Sequence, residues 1–191
     1  PLLIGVDEEG GTVVRVSANP NLAPEGKFPS PQRLYAQGGL EAIAQDAASK
    51  SALLLGYGIN VNFAPVADVS TDPADFIYDR SFGQDAQATA EYVTTVVEQM
   101  DAAGIGSVLK HFPGYGNNVD THTGIAVDER PYETFVESDF LPFEAGIAAG
   151  ADSVLVSHNI VGSMDPTLPA SLSPEVHRVL REELGFSGVV L

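Results

Sequence analysis

Lys110–His122 reads KHFPGYGNNVDTH and directly follows the apolar run Ser107-Val108-Leu109. Its thirteen residues hold one Lys, two His and one Asp, interrupted by Pro113, Gly114, Gly116, Asn117 and Asn118. That punctuation predicts a strand end running into a loop, and loops on a rigid scaffold are where catalytic groups concentrate. Lys110 and His111 then stand at the strand terminus, with Asp120 and His122 farther along the loop.

The same pattern repeats outward in both directions. Leu2–Val6 is a short apolar run closed by Asp7-Glu8-Glu9-Gly10-Gly11, where paired glycines permit a tight turn. Ile59–Val66 ends at Asp68, Ala151–Ser157 ends at His158-Asn159, and a last apolar run is Gly188–Leu191. Between these runs lie helical spacings. Ile43, Ala47, Ser51, Leu54 and Leu55 predict a helix over 40–55, and Ala90, Val93, Val97 and Met100 predict one over 86–103. Phe135, Leu141, Phe143 and Ile147 predict more helix, broken or begun at Pro142. Ser173-Pro174 is a helix start, a hydroxyl N-cap followed by Pro at the first helical position. The loop over 20–31, with four prolines, reads as irregular.

Apolar strands alternating with helices predict an α/β fold with a parallel sheet. We read it as about five consecutive βα units of a TIM (β/α)8 barrel; a doubly wound sheet fits the alternation equally. In the barrel, Asp7, Asp68, His111 and His158 converge at the carboxyl ends of the strands, where such folds build their sites. Because the chain begins and ends inside apolar runs, the expected unit is one incomplete (β/α)8 catalytic domain over residues 1–191.

Composition narrows the partners. Twenty-six acidic against nine basic residues give a net charge of −17, which disfavours nucleic acid and anionic membranes. The hydrophobic content of 44% is that of a chain with a core. There is no Cys, hence no thiolate nucleophile, disulfide or Cys-based metal site. No apolar run approaches the ~20 residues that span a bilayer. Composition leaves the compartment open between cytoplasm and export.

Asp120-Thr121-His122 places a carboxylate two residues from an imidazole, so on an extended loop both side chains can point the same way. Such a carboxylate fixes the ring's tautomer and tunes a proton donor for work near neutrality. The rival is a metal site built from His111, Asp120, His122 and His158. Its spacing matches no zinc signature and Lys110 beside it repels a cation, so neither metal nor cofactor is expected. Asp7, Arg80, Lys110 and His111 form a mixed set of donors and acceptors suited to a polyhydroxylated ligand. Arg15 could pair with Asp7, and Arg80 with the adjacent Asp79.

Taken in order, DEEGG (7–11) with Arg15, NVNFAPVAD (60–68), DRSFG (79–83), KHFPGYG (110–116), VDTH (119–122) and ELGFSGVVL (183–191) resemble glycoside hydrolase family 3. The KHFPG form with a downstream D-x-H resembles its β-N-acetylglucosaminidase (β-hexosaminidase) branch. The resemblance implies a retaining hydrolase that removes terminal β-linked N-acetylhexosamine from glycans or peptidoglycan fragments. It implies that Asp7, Arg80, Lys110 and His111, with Arg15 nearby, hold the small carbohydrate substrate. It implies that His122, oriented by Asp120, is the general acid/base, and that the nucleophile is an Asp beyond Leu191, leaving residues 1–191 alone inactive. A β-glucosidase, a phosphorolytic relative and a non-catalytic sugar-binding module are the alternatives. The chain departs from the family pattern at Thr12, where an Arg is common, at Tyr115, where a His is usual, and at Asn117-Asn118, which replace Asp-Thr.

Overall fold

A computed structural model describes residues 2–117 and 126–191. Five strands form one all-parallel sheet: β1 (Gly5–Val6), β2 (Val61–Asn62), β3 (Gly106–Phe112), β5 (Ser153–Val156) and β7 (Val189–Val190). Two further two-residue strands, β4 (Val127–Asp128) and β6 (Ile160–Val161), pair in parallel outside this sheet. Across the main sheet the order is β1-β2-β3-β5-β7, so each strand lies beside the next strand of that sheet to occur in the chain. A doubly wound sheet would reverse direction at a switch point. Sequential order is the barrel pattern, and it decides between the two readings.

The expected strands are shorter as regular ladders than their apolar runs. Of 59–66 only Val61–Asn62 is regular strand: Pro65, with no N–H to donate, interrupts the ladder, although Phe63 still donates to the Val6 carbonyl, the Ala64 carbonyl accepts from Val108, and a single bridge joins Val66 to Lys110. The first helix is longer than its spacing predicts: α1 runs Pro31–Gly56, capped by Ser30, whose hydroxyl accepts from the Arg33 N–H. A kink at Gly38-Gly39, with Gly39 at φ 62°, breaks the periodicity and hides the first turns. Helix α2 (Ala86–Ala103) has the expected bounds, with Asp85 as N-cap and Gly104 left-handed at its end.

After β4 comes a helical stretch, α3 (Tyr132–Thr134), a π segment (Phe135–Asp139) and α4 (Phe140–Ala148). Pro142 falls in the first turn of α4, just after the hydrogen-bond register changes, where its missing N–H is tolerated. The last helix, α5 (Pro174–Arg178), starts at the Ser173 cap, and a second π segment (Val179–Glu183) continues it.

Helix α2 packs between α1 and α4. The core between helices and sheet is filled by Leu54, Val93, Met100, Leu109, Phe112, Phe143, Val154 and Leu180, all essentially buried. Burying each such side chain contributes about 1.5–3 kcal/mol. This packing fixes the sheet, and the sheet fixes where its strands end.

Candidate active site

Strand β1 delivers a turn whose side chains alternate. Asp7 and Glu9 point one way, Glu8 the other. Gly10 and Gly11 follow with φ of 103° and 64°. A Cβ on Gly10 would collide with the Pro29 carbonyl, so the turn needs glycine for both conformation and space. The buried Glu8 carboxylate accepts from the backbone N–H groups of Arg15, Val16 and Ser17 and from the Ser17 hydroxyl. It shapes the loop that carries Arg15.

Glu9 is 4% exposed and gathers the cations. Arg80 donates to it through Nε and Nη2 at 3.0 and 2.8 Å, and Lys110 Nζ lies 2.6 Å from its Oε1. Lys110 also donates to Asp7 Oδ1 at 2.7 Å. Burial pushes the Glu9 carboxyl up, but the Arg80 hydrogen bond and the Lys110 charge outweigh it and hold it below the ordinary value. Burial likewise lowers Arg80, and Glu9 more than reverses that. Both stay charged.

His111 is held from two sides. Its Nδ1 lies 2.8 Å from Asp68 Oδ2, and its Nε2 lies 3.2 Å from Arg80 Nη2. A guanidinium can only donate, so Nε2 accepts, Nδ1 carries the proton, and that proton goes to Asp68. Asp68 also accepts from the backbone N–H of His111 and of Tyr115, which closes the turn leaving β3. The Tyr115 ring meets the imidazole edge-on at 5.1 Å.

Asp7, Arg15, Arg80, Lys110, His111, Tyr115 and His158 line one cleft of about 360 Å³ at the carboxyl ends of the strands. The strand-end residues converge as expected, with Asp68 directly beneath His111. Two expected pairings differ. Arg80 binds Glu9 rather than Asp79, and Asp7 pairs with Lys110 while Arg15 is exposed and donates to the Val14 carbonyl at 3.3 Å. Glu9 and Asp68 were not among the expected substrate-binding residues. The period-two spacing of Asp7 and Glu9 was the signal for the first. Asp120 and His122 lie outside the described residues; among the described residues no group of three or more His, Asp or Glu could hold a metal ion.

Asp7, Lys110 and Arg80 thus face the cleft, while the buried Glu9 and Asp68 behind them hold Arg80, Lys110 and His111 in place. Asp7, 37% exposed at its side chain, binds Lys110 through one oxygen and, among the described residues, makes no hydrogen bond through the other, while ion pairing prevents the cations from swinging away. The arrangement presents fixed donors and acceptors to a neutral polar ligand.

Over residues 1–191 the sequence matches the Glycosyl hydrolase family 3 N terminal domain. The chain belongs to this family. It is 37% identical over 192 residues to a β-hexosaminidase of Xanthomonas campestris pv. campestris strain B100 and 39% identical over 199 residues to one of Xylella fastidiosa strain 9a5c. Both matches take in the whole chain, which spans 58% and 57% of those relatives' lengths. Among solved structures, a family 3 β-N-acetylglucosaminidase from Paenibacillus sp. str. FPU-7 superposes with a TM-score of 0.90 at 34% identity. That match covers 100% of this chain and 36% of the other. The family 3 resemblance read from the motifs is thereby confirmed, and the sequential parallel sheet is the fold these neighbours share. Among the described residues, no helix is long and apolar enough to cross a membrane.

Proposed function

We propose that the full-length protein carrying this chain is a retaining glycoside hydrolase that removes terminal β-linked N-acetylhexosamine, with residues 1–191 supplying five βα units of its (β/α)8 catalytic domain. The observation that carries this reading is the convergence of Asp7, Arg15, Arg80, Lys110 and His111 on one cleft at the strand ends. Relatives named β-hexosaminidase at 37–39% identity support the choice of sugar.

In this reading Asp7 accepts from sugar hydroxyls and Lys110 and Arg80 donate to them. His111, its Nε2 engaged by Arg80, orients that donor. His122 protonates the leaving oxygen and then, as base, activates water; Asp120 orients its ring. The nucleophile is the Asp that the family pattern puts after Leu191 on the strand begun by β7.

The test uses the full-length protein and β-N-acetylglucosaminides with leaving groups of graded acidity. His122→Ala should lower kcat/KM on poor leaving groups by ~100-fold or more, and far less on activated aryl glycosides that need little protonation. Wild-type turnover of an unactivated disaccharide by His122→Ala would refute the acid/base assignment. Absence of hydrolysis with retained monosaccharide binding would leave a sugar-binding module.

A further inference from the structure

Outside the cleft, Arg130 lies between two buried carboxylates. Its Nε lies 3.0 Å from both oxygens of Asp128, its Nη1 3.0 and 3.1 Å from those of Asp139, and its Nη2 donates at 3.2 Å to the carbonyl of Gly114. The Phe135 ring backs the guanidinium, 4.4 Å from its carbon. One fork therefore ties together the turn leaving β3, strand β4 and the π segment. None of the three charged residues lines the cleft.

The backbone above this cluster is pressed onto it. Gly114 and Gly116 have φ of 126° and 54°. A Cβ on Gly114 would strike the Asp139 carboxylate, and one on Gly116 would strike the Arg130 guanidinium. A buried ion cluster is seldom more stable than apolar packing of the same volume, so general stability is a weak account of it. Directional anchoring is a better one, because a planar fork sets orientation as well as distance. The anchored stems, Gly114–Gly116 and Val127–Asp128, flank the segment that carries Asp120 and His122.

We infer that Arg130, braced by Asp128 and Asp139, is a positioning residue: it fixes the two stems of the segment bearing the proposed acid/base pair and so governs protonation of the leaving group. The inference rests on the acid/base reading above. Lysine at 130 keeps the charge but replaces the planar five-donor fork by one compact ammonium, losing the paired geometry to Asp128, Asp139 and the Gly114 carbonyl. Alanine at 116 strains the left-handed stem and presses its Cβ against the Arg130 guanidinium, disturbing the brace without removing a charge.

The experiment compares Arg130→Lys, Gly116→Ala and His122→Ala in the full-length protein. It measures kcat/KM against leaving-group acidity and monosaccharide binding by calorimetry. Both stem variants should lose ~10–100-fold on unactivated glycosides, the scale of a small misplacement of a reacting group. They should lose less than about threefold on activated aryl glycosides, with the monosaccharide Kd unchanged. An equal loss on both substrate classes, or a Kd that weakens in step, would make Arg130 merely structural and overturn the inference while His122 keeps its role. If His122→Ala itself shows no dependence on the leaving group, the acid/base reading falls and the inference with it. Should Arg130→Lys fail to fold, Gly116→Ala decides by the same two criteria.

Discussion

Glu9 holds two cations at once, which makes it the residue whose loss should be felt most widely. Replacing it by Gln keeps the shape and removes the charge that Arg80 and Lys110 share. Breaking a buried pair from one side leaves uncompensated charge, so Glu9→Gln should destabilise the full-length protein by about 3 kcal/mol in denaturant titration. Monosaccharide binding should fall in parallel, because Lys110 and Arg80 lose their common anchor. A variant that binds and unfolds like the wild type would mean that the pair is not a structural unit. Asp7 and Lys110 could be read from the sequence as strand-end groups. Glu9 could not be separated from its neighbour Glu8 by residue type. Only the alternation of a strand running into its turn distinguishes them, sending Glu8 to cap a loop and Glu9 to the two cations of the cleft.

At the scale of elements, the Ser-Pro helix start was legible at Ser173-Pro174, and the same signature stands at Ser30-Pro31. There the kink at Gly38-Gly39 interrupts the apolar spacing, so the element could be placed only from residue 40 onward. Strands β4 and β6 left no mark, since two residues cannot display a period. Asp139, in the π segment between them, carries a pH dependence that spacing could not announce. Burial pushes its carboxyl up to about 6 against the pull of Arg130, with Asp68 and Asp128 adding repulsion. A raised carboxyl binds its proton more tightly in the folded state. Its contribution to stability is therefore full below the unfolded value near 3.8 and is lost as pH rises through about 6. Unfolding free energies of wild type and Asp139→Asn, taken from pH 4 to pH 7, should differ with a slope confined to that window. The slope should total about 3 kcal/mol for a shift of this size. Parallel curves would show that Asp139 does not titrate there.

Across the whole molecule, the order β1-β2-β3-β5-β7 lays each strand against its predecessor in the chain, whereas the ion pairs of the cleft ignore that economy. Arg80 reaches Glu9 across 71 positions, and Lys110 reaches Asp7 across 103. During synthesis the sheet can grow strand by strand as the polypeptide leaves the ribosome. Asp7 at the end of β1 meanwhile waits, hydrated and unpaired, until β3 arrives with Lys110, whereas Glu9 can meet Arg80 earlier. Domains emerge and fold from the amino end, so nascent chains stalled so that β2 but not β3 has cleared the exit tunnel should be cleaved readily within 1–68. Chains stalled after β3 and α4 have emerged should resist. Protection that already appears with β2 alone would mean that the early strands are stable without their charge partners. The first three strands are thus joined into a unit by a lysine made about a hundred residues after the acid it holds, and the birth order of the chain is written into its electrostatics.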